Sequence, residues 1–123
     1  MKTFDLQKLS TAELVERFAA LGLGQFQAEL ESDIAKENRL LRQMRAVTEE
    51  LKSRSGDHRS ALLGLFDHPN VQVRLMAARL TLAVAPAAAR QVLQSIIDSR
   101  EYPQAADAGM CLWNLDRGVF KPS

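Results

Sequence analysis

The feature that most constrains the fold is a repeated pattern of helix, proline turn and helix in the second half of the chain. The segment RSALLGLFDH at 59–68 matches RQVLQSIIDS at 90–99, so the two copies lie 31 residues apart with their apolar positions in register. Pro69 follows the first copy. Pro103 follows the second, after an insertion of three residues. Because proline cannot continue a helix and pushes the preceding residue out of helical geometry, each copy predicts a helix pair joined by a short turn.

The segment DHPNVQVRLMAARLTL at 67–82 shows how one such turn starts its second helix. Asn70 stands where an N-cap side chain is needed, just before the apolar positions of the helix begin. Pro86 then occupies a first helical position, where its missing N–H costs nothing. Pro103 opens the last helix, and Gly118 is expected to end it.

Two longer helices are predicted in the first half. Ser10 and Glu13 have the spacing of a capping box and predict a helix over 11–31, which continues across two glycines. Asp33 is expected to cap an amphipathic helix over 33–54, and Gly56 lies just past its end. No stretch alternates with a period of two for long enough to predict a strand.

The predicted architecture is therefore all-α, with about six helices in three antiparallel pairs. We expect a single domain over 1–123, in which 11–54 form an N-terminal capping pair and 57–84 and 86–117 form two repeats. One helix pair cannot bury its apolar face alone, and about three stacked pairs are needed for stability.

The repeat resembles HEAT repeats, the paired-helix units of α-solenoids. The residues that carry this resemblance lie in DHPNVQVRLMAARL and are Asp67, Pro69, Val73, Arg74, Ala77 and Ala78. The resemblance implies a HEAT-like α-α superhelix, with the aspartate near the turn and small residues where neighbouring helices approach. It also implies that Arg74, with Asp67 or Asp107, is a structural residue that bonds between repeats.

A second resemblance covers nearly the whole chain. The phrases NRLLRQM, GDHRSALLGLFDHPNVQVRLMAA and EYPQAADAGMCLWNLDRG resemble a small bacterial HEAT-like family, catalogued as domain of unknown function number twenty-nineteen. This resemblance implies the helical fold, and it supplies no activity, cofactor or catalytic residue.

The chemistry-bearing residues predict neither a metal site nor a catalytic one. His58, His68 and Cys111 lack the paired one-turn spacing of zinc ligands. The run Asp57-His58-Arg59-Ser60 contains the residue types of a hydrolase triad, but neighbours in sequence on a helix point in different directions. We therefore predict that the protein is not an enzyme and needs no cofactor.

Charge and cysteine content narrow the partners and the compartment. The 123 residues hold 16 basic and 15 acidic side chains, a net charge of +1, which disfavours nucleic acid as a partner. The alternative stays open because HEAT-like DNA glycosylases use aromatic and acidic residues, and Trp113, Asp107 and Asp116 are of these types. One cysteine, with no signal-peptide pattern and no apolar run of membrane-spanning length, predicts a cytoplasmic protein with no membrane partner.

The function favoured by these observations is a protein–protein interaction module or adaptor with an unidentified protein partner. The alternatives are a nucleic-acid-binding HEAT-like protein and an immunity-type binder of a partner protein. The last helix is apolar on nearly all sides at 110–115, which predicts burial on more than one side. A partner or a second copy in a homodimer is expected to cover Trp113 and Phe120, with the tail folding back over part of this face.

Overall fold

All regular elements in residues 5–123, the part of the chain that the structure describes, are helices, which confirms the predicted all-α class. The structure is a computed structural model. Its elements are a 3-10 helix Leu6–Lys8, α1 Thr11–Leu30, α2 Ile34–Ser53, a 3-10 helix His58–Asp67, α3 Val71–Arg79, α4 Pro86–Ser99 and α5 Gln104–Asp116.

The sequence located the helix boundaries well because they depend on local hydrogen bonds. Ser10 and Glu13 form the predicted capping box, with Ser10 Oγ accepting from the Glu13 N–H at 3.1 Å. The Ser10 N–H donates in return to Oε1 of Glu13 at 2.9 Å, and this backbone hydrogen bond is the main cause that lowers the pKa of Glu13. Asp33 and Asn70 cap α2 and α3 as predicted, and Gly118 follows α5 with φ of 71°.

One predicted helix has a different geometry. The segment His58–Asp67 is a 3-10 helix of ten residues, although 3-10 runs beyond three or four residues are uncommon. Asp57 precedes it with φ of 54° and accepts a hydrogen bond from the Arg59 N–H. This hydrogen bond joins residues two apart in sequence and forms a tight turn at the start of the 3-10 helix. The sequence had instead predicted that Asp57 starts an α-helix.

The chain divides into two compact units, the first reaching Ala61 and the second comprising Leu62–Ser123. This boundary falls inside the segment predicted as the first repeat, 57–84. The assignment of one capping pair and two HEAT-like repeats, and the superhelical arrangement, stay predictions.

The first unit is a hairpin in which α1 packs on α2. Its core contains Leu14, Phe18, Met44, Val47 and Leu51, all fully buried. The helices approach closely at Gly24, where a Cβ atom would lie 3.0 Å from a terminal carbon of Leu40. Gly24 therefore has a packing role, and α1 runs through both of its glycines without a break, as predicted.

The second unit is built from α3, α4 and α5, with α4 in contact with both neighbours. Small residues occupy many of its helix contacts, and the buried alanines are Ala77, Ala78, Ala89, Ala105 and Ala108. Because a Cβ atom is short, helices that meet through alanine can pack with little space between their backbones.

Burial agrees with the repeat found in the sequence at some positions and differs at others. Leu62 and Leu93 occupy equivalent positions, and both are fully buried. Asp67 and Asp98, at the ends of the two copies, are both exposed. Arg59 is buried whereas the equivalent Arg90 is exposed, so the surroundings of the two copies differ at this position, and one copy is 3-10 whereas the other is α-helical.

Two large apolar side chains at the α1–α2 turn lie outside the core: Ile34 is 68% exposed and Leu30 is 65% exposed. Both stand at helix ends, where the partner helix no longer extends alongside to cover them. Separately, none of the helices among residues 5–123 is long and apolar enough to cross a membrane.

Candidate partner-binding surface

The position of helix α5 is set by contacts at its first turn. Pro103 is its N-cap residue, as the sequence predicted. The next side chain, Gln104, is buried and donates through Nε2 to Oε1 of Gln72 in α3 at 3.1 Å. A buried amide needs such a partner, so this bond fixes the helix against rotation about its axis.

The inner face of α5 packs into the second unit. Ala105, Ala108, Cys111 and Leu112 are buried on this side. Burial raises the pKa of the Cys111 thiol, although the nearby Arg79 guanidinium acts in the opposite direction. The thiol is therefore a protonated, weakly reactive core group.

The opposite side of α5 is also apolar, and it is open to solvent. Met110 is 60% exposed and Trp113 is 59% exposed. Together with the exposed Ala106 and Arg117, they stand at intervals of four, three and four residues, which places them on one side of a helix. We call these four residues the α5 outer face. The predicted burial of this helix on more than one side is not met within the chain.

Arg117 lies over the aromatic ring of Trp113. Its guanidinium carbon is 5.0 Å from the ring centroid, within the range of a cation–π contact. A contact of this kind favours the ring orientation in which the guanidinium lies over its face. It therefore restricts the ring to fewer orientations than a free surface tryptophan has.

The neighbouring carboxylate is already paired. Asp116 accepts a hydrogen bond from Arg90 of α4 at 2.6 Å, and this bond raises the pKa of Arg90. The pair is exposed, so it contributes little to stability. Its effect on the surface is to leave Arg117 as the cation at the C-terminal end of the α5 outer face.

The chain turns after α5, while the predicted covering of part of the apolar face by the tail stays a prediction. The backbone N–H groups of Val119 and Phe120 both donate to the carbonyl oxygen of Asn114, at 2.9 and 3.1 Å. Phe120 is 36% exposed and Val119 is exposed further. Of the two predicted partner-binding residues, Trp113 lies in the last turn of α5 and Phe120 lies four residues beyond its end, and both reach solvent.

Asp67, Arg74 and Asp107 were predicted to bond between repeats. Asp67 is exposed at the end of the 3-10 helix, and Asp107 is exposed in the first turn of α5. Arg74 is half-buried in α3, and its Nε atom is buried without a hydrogen-bond partner among residues 5–123. The role of these three residues between repeats stays a prediction.

Each of the two histidines takes part in a hydrogen bond through Nδ1. Nδ1 of His68 accepts from the Asn70 N–H at 3.0 Å, in the proline turn. Nδ1 of His58 lies 2.8 Å from Oγ1 of Thr11, whose oxygen also accepts from Arg54 at 3.3 Å. A hydroxyl beside an imidazole is the first half of a nucleophilic pair, which needs a carboxylate to orient the base.

The carboxylate of Asp57, which is next to His58 in sequence, forms an ion pair with a different side chain. Asp57 pairs with the Arg59 guanidinium at 2.6 Å, and this hydrogen bond is the main reason that the pKa of Asp57 falls to about 2. Arg54 has a structural position, since its Nη2 atom donates to the carbonyls of Leu6 and Leu9. This group of polar side chains therefore closes the end of the first unit.

Sequence reasoning missed the exposure of Met110, which was expected to be buried. The position of Arg117 four residues after Trp113 is a signal that could have predicted the cation–π contact. The exposure of Met110 could not be predicted from the sequence. Apolar residues occupy both sides of α5, so the pattern does not show which side is buried.

Two comparisons with known proteins give a match for this chain. The sequence matches a family described as "Domain of unknown function (DUF2019)" over residues 12–116. It is also similar to a solved structure, the crystal structure of the protein RPA1889 from Rhodopseudomonas palustris CGA009. The two are 51% identical, the match covers 98% of this chain and 100% of that one, and the TM-score is 0.94. A search of curated proteins gives no match.

Proposed function

The chain belongs to the DUF2019 family, and from the geometry of its α5 outer face we propose that it is a protein-interaction module. The observation that carries this proposal is the exposure of Trp113 and Met110 on a helix whose other side is fixed in a core. Tryptophan is enriched among the residues that contribute most to binding energy at protein interfaces. An exposed apolar patch of this kind is typical of an interaction site.

The physical advantage of the site is that it is already ordered. Gln104 fixes the orientation of α5, and Arg117 restricts the Trp113 ring. A partner that docks on this face therefore orders few side chains, and little conformational entropy is lost on binding. Phe120 extends the apolar surface beyond the helix and is part of the proposed site.

The test is site-specific photo-crosslinking in living cells of the host bacterium. A photoreactive phenylalanine analogue at position 113 is expected to give a discrete crosslinked product. The same analogue at position 30 is the matched control, since Leu30 is equally exposed but lies in the first unit. Equal labelling from positions 113 and 30 would contradict the proposal.

We propose protein rather than nucleic acid as the partner because of the charge near the face. Arg90 is held by Asp116, which leaves Arg117 as the cation of the α5 outer face. A phosphate track needs several cations, and binding to DNA is then expected to be weak and sensitive to salt. Micromolar binding of duplex DNA at physiological salt, weakened by replacing Arg39, Arg42 or Arg45, would favour the nucleic-acid alternative.

A further inference from the structure

A row of arginines lies along the solvent side of α2. Arg39, Arg42 and Arg45 are all exposed and stand three residues apart, so the row covers about 9 Å of the helix axis. We call these three residues the α2 basic face. We infer that it binds an acidic segment of a protein, in which carboxylates are spaced about one helical turn apart. This surface belongs to the first unit, and the inference does not depend on the role of the α5 outer face.

The three guanidinium groups are not neutralised within the chain. Among residues 5–123, none of them forms an ion pair or a side-chain hydrogen bond. Glu49 is exposed one turn after Arg45, but it forms no ion pair with it, and Glu50 is paired with Arg54 at 2.9 Å. The positive charge of the row is therefore open to an anion from outside the chain.

The row is unfavourable for the free chain. Side chains three residues apart are neighbours on a helix surface, and like charges at this spacing destabilise the helix. Arg42 has such a neighbour on each side, namely Arg39 and Arg45. The helix dipole favours cations only in the last turn, and the row lies well before Ser53, where α2 ends. Binding of an anionic partner removes this repulsion, so the arrangement favours the bound state.

The surroundings of the row select the class of anion. Residues 34–53 contain no aromatic side chain, whereas single-stranded nucleic acid is bound by stacking its bases on aromatic rings. Duplex DNA is bound by a longer track of cations than three. The neighbours Ala35, Asn38 and Ala46 are exposed and short, so a protein segment is able to approach the guanidinium groups closely. Arginine pairs with carboxylates through two parallel hydrogen bonds.

A helical partner offers carboxylates at a matching spacing. Glutamates at alternating intervals of three and four residues share one side of a helix and advance by about 5 Å per step, close to the advance of about 4.5 Å between successive arginines. Ion pairs at an exposed surface are individually weak. The expected dissociation constant is therefore on the order of 100 μM at low salt, and binding is expected to weaken as salt screens the charges.

The first experiment measures binding to a labelled probe peptide by fluorescence anisotropy. The probe is an alanine-based helical peptide with three glutamates at this spacing, and the same peptide with glutamines is its control. The full chain is expected to bind the glutamate peptide and not the glutamine one.

Charge variants test whether the row is the site. Arg42→Gln is expected to weaken binding about threefold, and replacing Arg39, Arg42 and Arg45 together by glutamine is expected to weaken it more than about tenfold. Lys121→Gln removes one positive charge from the exposed tail and is the matched control for Arg42→Gln. No binding of the glutamate peptide at low salt, or equal losses from Arg42→Gln and Lys121→Gln, would overturn the inference.

The second experiment separates a binding role from a structural one. Thermal unfolding of the triple variant at low salt, followed by circular dichroism, is expected at the same temperature as the wild type or above it, because the repulsion is gone. A lower melting temperature would show that the arginines stabilise the fold, and the argument from repulsion would be wrong.

The remaining controls separate the outcomes. Short single-stranded and duplex oligonucleotides are competing probes. If either binds more tightly than the glutamate peptide and the triple variant loses that binding, the row is a nucleic-acid site and the acidic segment is excluded. Trp113→Ser is expected to bind the peptide like the wild type, since the α5 outer face lies in the second unit. Crosslinking from position 113 tests that face separately.

Discussion

The two compact units use their polar and apolar residues in opposite ways. The first closes its end with polar side chains, as Arg54 donates to backbone carbonyls of Leu6 and Leu9 and pairs with Glu50. The second brings helices together through alanine and leaves Trp113 and Met110 in solvent. In the first unit, side-chain hydrogen bonds cover the backbone groups at the end of the helices. In the second unit, one apolar side of α5 stays uncovered, and its residues determine the chemistry of anything that binds there.

The largest expected effect tests the aromatic core of the first unit. Phe18→Ala removes a fully buried ring and leaves a cavity between α1 and α2. We expect the free energy of unfolding to fall by about 3–5 kcal/mol, measured by urea denaturation followed by circular dichroism. Leu23→Ala is the control on the same helix, because Leu23 is 45% exposed. Similar losses for both variants would contradict the placement of the core.

The next test applies the same measurement to the alanine contacts of the second unit. Ala78→Leu adds bulk at a fully buried position of α3. Overpacking is expected to cost about 1–3 kcal/mol, and Ala77→Leu is expected to behave alike. Ala87→Leu, at an exposed position of α4, is the matched control and should change stability little. If all three variants are as stable as the wild type, the small residues are not needed for close packing.

A somewhat smaller effect is expected for the polar closure of the first unit. Arg54→Met keeps the length of the side chain, but it removes the donors to the Leu6 and Leu9 carbonyls and leaves Glu50 without its partner. We expect a loss of about 1–2 kcal/mol. Arg39→Met, on an exposed part of α2, should be nearly neutral. Equal stability of the two variants would show that the closure is not needed.

The smallest expected effect concerns pH and Asp57. The hydrogen bond from Arg59 lowers the pKa of Asp57 from 3.8 to about 2 in the folded chain. The ionised carboxylate therefore stabilises the fold above its ordinary pKa, and this contribution is lost as pH falls from about 4 towards 2. The difference in unfolding free energy between wild type and Asp57→Asn should shrink over that window. A difference that stays constant with pH would contradict the assignment.

The sequence predicted helix starts and stops more reliably than faces. Ser10, Asp33 and Asn70 determine helix starts through bonds to residues two or three positions away, so the information is local. The exposure of Ile34 and Met110 depends on where other helices end, and that information is spread over the chain. The 3-10 geometry of His58–Asp67 was missed for a related reason, since its apolar spacing also fits an α-helix.

The candidate site was predicted in part. Trp113 and Phe120 were identified from their residue type and their position in an apolar final helix, and both reach solvent. The sequence did not distinguish the outer side of α5 from the inner one, because apolar residues occupy both. The bond from Gln104 to Gln72 fixes which side is outside, and it joins residues that are far apart in the chain.

The buried position of Cys111 has a consequence for handling and labelling the protein. Residues two apart on a helix point in nearly opposite directions, so the thiol is directed away from Trp113. The thiol is shielded in the folded chain, so air oxidation links two copies through it only after α5 has opened. The rate of alkylation by iodoacetamide therefore measures how often α5 detaches from its unit, and a disulfide-linked product in an aged sample marks unfolding rather than assembly.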